Sequence, residues 1–198
     1  MPPIFAMCAF ALTLSISPGP VNVLTLSTGL NHGARRALPF VSGATISFTL
    51  LLLAIGLGLG AVAESLGRAF DLLAIAGAGL IAWFGFKLAT ATGSLSTEEA
   101  PIPGFWRGVM LQVLNPKAWG ACIAAIAIFE LQEAPAHLAI FVCLYGVICF
   151  FGIGSWAFFG QQVKRFLITS NRLRVFNIAL GLSLIVLAIT LLWRSLLT

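Results

Sequence analysis

The chain has 198 residues, of which 60% are hydrophobic and 9% charged, where soluble domains carry roughly 25% charged residues. Eleven Lys and Arg against six Asp and Glu, a net charge of +5, cannot clothe a water-soluble globule of this size, and a mean hydropathy of +1.04 names lipid as the solvent. In lipid the backbone must satisfy itself within helices or a closed barrel; strand-like alternation is missing from the sequence, so the expected fold class is all-α, a polytopic membrane protein.

In chain order, apolar stretches at about 4–30, 38–63, 70–90, 106–129, 135–160 and 176–193 lie between clusters of charge, and each has the ~20 residues that a bilayer-spanning helix needs. Six transmembrane helices in one domain over 1–198 are expected. The first stretch is read as a retained span and not a secretory signal, because no charged side chain precedes Arg35 and no small-residue cleavage pattern precedes Ser17-Pro18-Gly19-Pro20. That segment interrupts the span: a proline lacks the N–H for its i−4 bond and its ring collides with that carbonyl. The second span carries Ser42, Thr45 and Thr49 on one stripe. The fourth is broken at Gln112-Val113-Leu114-Asn115-Pro116-Lys117, the fifth aligns Tyr145, Cys149, Gly152 and Trp156, and a short sixth adds Asn177 and Gly181. On the first span Ser15, Pro18, Asn22, Thr25 and Gly29 follow one another at helical spacing. Small residues on such faces also serve helix packing in lipid, as in Gly29-x-x-x-Gly33 and Gly56-x-x-x-Gly60. The four cysteines, Cys8, Cys122, Cys143 and Cys149, lie within apolar stretches without metal-like spacing and are expected to pack.

Basic residues orient the bundle. Arg35, Arg36, Lys87, Arg107, Lys164, Arg165, Arg172 and Arg174 fall in connections on one side, against Arg68 and Arg194 on the other. The positive-inside rule puts the eight in the cytoplasm and both termini outside. Their scatter over three loops, without interleaved aromatics in a solvated domain, gives nucleic acid no place as a partner. Trp106 and Trp193 near span ends are interfacial anchors.

The breaks at Pro18 and Pro116 occupy corresponding places in two sets of three spans, approximately 1–95 and 102–198. Three spans per half make the halves enter the membrane from opposite sides, as inverted repeats. Paired interruptions of this kind point to a substrate site near the midplane. Large polar groups at that depth need specific partners, which singles out Asn22, Gln112, Asn115 and above all Lys117, a charge that costs at least ~2.5–3.5 kcal/mol to insert. The candidate substrate-binding residues are therefore Ser17, Pro18, Gly19, Pro20, Asn22, Gln112, Asn115, Pro116 and Lys117. Snorkelling of Lys117 to the cytoplasmic interface is the structural alternative.

At these residues the sequence resembles the lysine-exporter (LysE/RhtB-type) translocator family of bacterial amino-acid exporters. The likeness covers nearly the whole chain: Pro18-Gly19-Pro20 followed by Asn22, the glycines Gly29, Gly33 and Gly43, the Gly77 to Lys87 segment, and Asn115-Pro116-Lys117. Phe105-Trp106 with Leu111-Gln112 looks most like the cysteine/O-acetylserine exporter branch. Many members carry an acidic residue where this chain has Val21 or Asn22, and Ala44 or Thr45, and many have a tyrosine near Leu80. The resemblance implies a secondary exporter in the bacterial inner membrane, driven by proton motive force, since no GxxxxGK[ST] phosphate loop is present. With no Asp or Glu deep in a span, a neutral amino acid is the better expected substrate. His32 and His137 sit in connections and the acids cluster at helix ends, which argues against an enzyme; no cofactor or metal is implied. The lipid bilayer is the expected partner and a homo-oligomer stays open. A passive channel or a structural membrane subunit is the alternative.

Overall fold

The computed structural model describes residues 2–59, 67–90, 102–164 and 170–197. These form helices α1 (Ile4–Ile16), α2 (Pro20–His32), α3 (Ala34–Ala54), α4 (Gly67–Ala89), α5 (Phe105–Val113), α6 (Pro116–Ile128), α7 (Pro135–Val163) and α8 (Ser170–Leu197). A π-helical turn, Ile55–Leu59, continues α3 and is kinked at Gly58, whose φ of 93° only glycine adopts freely. The molecule is an all-α membrane bundle. Among the described residues two helices are long and apolar enough to cross a bilayer, Ala34–Gly58 and Pro135–Val163, and there are four such spans when each bent pair, α1 with α2 and α5 with α6, is one span. The pairs bend by 61° and 65° at the two proline segments.

Each expected apolar stretch has its helix or bent pair, but the last is not short. α8 has 28 residues, because Ser170 to Arg174 extend the helix beyond the apolar stretch, where polar side chains can stay wet while the backbone remains bonded. Glu64, Glu98, Glu99 and Arg165 of the charge clusters lie outside the described residues, as do the end of the expected second span and the junction near residue 95.

Two ends of the bundle are closed by different chemistry. At the first, a single residue, Gly33, joins α2 to α3, and Ala34 N donates to Gln161 Oε1 of α7 at 2.7 Å. There the backbones touch in two reciprocal pairs. A Cβ on Gly29 would strike the Ala157 carbonyl and one on Gly160 the Leu26 carbonyl; likewise one on Gly43 would strike Phe105 O and one on Gly108 Phe40 O. Glycine is required here by close approach. Arg35, Arg36, Arg107 and Lys164 belong to this end of the bundle.

The opposite end is filled by rings. Phe10, Phe129 and Phe141 form a cluster with centroid separations of 5.4–6.4 Å, and Phe141 meets Tyr145, which stacks on Phe48 at 4.4 Å. α6 stops beside this cluster in a Schellman turn: Leu131 N donates to Ile126 O at 3.1 Å, with Glu130 in the left-handed region at φ 49°. α4 packs on α8 through Gly85 and Gly181, each against the other's carbonyl.

Candidate functional site

A helix broken inside a membrane must find new donors for the carbonyls it frees. In the first break, Pro18 and Pro20 cannot donate to Leu14 O and Ile16 O. Ser17 Oγ donates to Leu14 O at 3.0 Å, and Trp156 Nε1 reaches across from α7 to Ile16 O at 3.2 Å. Asn22 is 4% exposed. Its Nδ2 donates to Ser15 O and Ser17 O, both at 2.8 Å. In the second break Pro116 cannot donate to Gln112 O, which accepts instead from Asn115 N at 3.2 Å. Trp119 Nε1 donates to Val113 O at 2.7 Å, and Leu114 O lies against Gly77 of α4, where a Cβ would strike it. Asn115 caps α6, its Oδ1 accepting from Lys117 N at 3.2 Å.

The two breaks meet through one side chain. Lys117 Nζ donates to Ser17 O at 2.9 Å and Ser17 Oγ at 2.7 Å, and lies 3.4 Å from Pro18 O. Three acceptors match the three protons of an ammonium. The alkyl stem crosses Gly19, where a Cβ would come within 3.3 Å of Nζ. Gly19 itself is extended, at φ −173°, so its backbone suits any residue, and a side chain there would press only on the Lys117 stem. Lys117 is thus half-buried at the junction of the breaks.

A cavity of about 40 Å³ opens at this junction, enough for a few waters and too small for an amino acid. Among the residues singled out by sequence, Gly19, Asn22, Gln112, Asn115 and Lys117 line it. Ser17 and Pro18 are not among its lining residues but hold the Lys117 ammonium. Pro20 and Pro116 are outside the lining and are the first residues of α2 and α6, so that Pro20, rather than Pro18, holds the position in its helix that Pro116 holds in α6. Sequence reasoning left out Ser15, Phe48, Tyr145 and Cys149, which also line the cavity. Three of these stood on its polar stripes, and only packing tells which stripe faces inward. Ser15 Oγ and Gln112 Oε1 are buried and have no hydrogen-bond partner among the described residues.

The LysE type translocator family matches residues 12–195. Among curated proteins, the chain is 29% identical over 190 residues to a cysteine/O-acetylserine efflux protein of Escherichia coli O139:H28, covering 93% of this chain and 94% of that protein. It is 28% identical over 171 residues to the one of Klebsiella pneumoniae, covering 85% and 87%. No solved structure matches the chain. Members of this family move small metabolites across membranes and catalyse no chemical conversion. With the family match spanning both helix breaks and nearly every described element, the chain belongs to the LysE type translocators.

Proposed function

We propose that this chain is a secondary-active exporter of a small neutral amino acid, driven by proton motive force across the bacterial inner membrane, with its substrate held where the two breaks meet. The observation that carries this is Lys117, whose ammonium on one broken helix is held by Ser17 and Pro18 of the other. A charge costly to insert is placed where paired helix breaks bind substrate in transporters built from inverted repeats. In this mechanism the substrate carboxylate displaces the weakest Lys117 contact, the one to Pro18 O. The N-termini of α2 and α6, which begin at the breaks, favour negative charge there.

Packing supports six spans in two inverted repeats, approximately 1–95 and 102–198. The pair α1–α2 leans on α7, the pair α5–α6 leans on α3, and α4 pairs with α8, so exchanging the halves turns each contact into another. The small cavity supports a contracted state in which both ends are shut, from which loading needs one end to part. The names of the relatives support a cysteine- or serine-like substrate.

Inside-out vesicles test this. Lys117→Ala should insert at normal levels and lose nearly all L-cysteine transport; normal transport by that variant overturns the site. A protonophore should abolish accumulation, whereas flux that merely follows the substrate gradient would favour a channel. Resistance on overexpression should appear for cysteine- or serine-like compounds; resistance only to lysine or arginine overturns the neutral substrate.

A further inference from the structure

Broken-helix transporters commonly offer freed carbonyls to a cationic group of the substrate or coupling ion. In this protein Leu14 O, Ser15 O, Ile16 O and Ser17 O already accept from Ser17, Asn22, Trp156 and Lys117. Two buried acceptors on residues that line the cavity have no hydrogen-bond partner among the described residues: Gln112 Oε1 on α5 and Ser15 Oγ, beside Tyr145 and Cys149, on α1. Their residues are 6% and 5% exposed, so bulk water does not satisfy them. An orphaned buried acceptor costs stability, and a functional role is one of the physical reasons for which a native protein keeps such a group. The complement of two neutral acceptors beside a lysine is a group with several N–H donors and one positive charge, at short range from a carboxylate.

We propose that Gln112, aided by Ser15, is the residue that reads the substrate's α-ammonium group, leaving Lys117 to the carboxylate. This rests on the substrate site proposed above and adds its specificity: the protein distinguishes an α-amino acid from the same acid lacking nitrogen. A neutral amide also explains how the site takes an ammonium without a carboxylate in the cavity lining. The tight lining at Tyr145 and Cys149, both buried, leaves room only for a short side chain.

The experiment is counterflow of radiolabelled L-cysteine, kept reduced, in proteoliposomes of the intact protein, with unlabelled L-cysteine or 3-mercaptopropanoate as competitor. The two competitors differ only in the amino group. Wild type should prefer L-cysteine by about 10–100-fold, the worth of a hydrogen bond to a charged group. In Gln112→Leu and Gln112→Asn, which remove or withdraw Oε1, that ratio should fall to about one through loss of L-cysteine competition alone. Gln112→Glu should retain the preference, and Ser15→Ala should reduce it partly. Parallel weakening of both competitors in the Gln112 variants, or an unchanged ratio, overturns the assignment while leaving the site intact. If wild type shows no L-cysteine counterflow, the substrate proposed above fails and this assignment fails with it.

Discussion

At the scale of single residues, the site is organised around carbonyl groups freed by the helix breaks. Asn22 satisfies two of them with one amide, while Trp156 satisfies one with an indole whose ring can be kept without its donor. Each orphaned buried acceptor costs about 1–3 kcal/mol. Asn22→Leu should therefore lose on the order of 2–4 kcal/mol, and Trp156→Phe only about 1 kcal/mol, measured by unfolding of the purified protein in detergent. Asn22→Asp should fare no better than Leu, because an ionised carboxylate would face two carbonyls with nothing to donate. Equal losses for Asn22→Leu and Trp156→Phe would mean that these bonds do not hold the break. Asn22 and Lys117 were legible in the sequence because large polar groups are costly at that depth. Their partners were not: Lys117 and Ser17 stand 100 positions apart, and no spacing rule relates a residue to a carbonyl freed in another helix.

At the scale of helices, charge placement and proline chemistry made the elements legible, down to the paired breaks, while the crossings escaped. Gly29-x-x-x-Gly33 looked like a packing motif, yet Gly33 is the left-handed end of α2, at φ 89°, and only Gly29 touches a backbone. The working pattern is reciprocal, with Leu26 and Gly29 against Ala157 and Gly160, and such a pattern is invisible until the partner helix is known. The crossings separate glycines by consequence. Gly29→Ala and Gly43→Ala force methyls onto carbonyls and should each cost at least about 1–3 kcal/mol. Gly79→Ala and Gly154→Ala meet nothing within 4 Å and should be neutral or stabilising by up to about 1 kcal/mol. Similar losses at all four sites, by thermal unfolding in detergent, would refute the crossings. The breaks also differ in redundancy. Pro116 alone interrupts the second span, whereas Pro18 and Pro20 share the first. Pro116→Ala should therefore depress vesicle transport more than either single change in the first break, and the double Pro18→Ala, Pro20→Ala variant should match it.

Across the whole molecule the two closures differ in kind, and that difference bears on export. At one end backbones touch through glycine, so opening requires helices to separate; at the other, side chains of Phe10, Phe129, Phe141 and Tyr145 fill the space and can turn aside within a nearly fixed frame. Arg35, Arg36, Arg107 and Lys164 belong to the glycine end, and basic residues flanking short connections are retained in the cytoplasm. We therefore propose that the glycine end loads substrate and the aromatic end releases it, with both termini outside. Two exposed positions report this directly: Arg36 at the start of α3, and Glu133 in the turn between α6 and α7. In a variant with the four native cysteines replaced, a membrane-impermeant maleimide added to intact spheroplasts should label Glu133→Cys and spare Arg36→Cys until the membrane is permeabilised. The reverse pattern would invert the molecule and make the aromatic closure the cytoplasmic one. Labelling of both from outside would mean that the chain inserts in two orientations, with no fixed direction for export.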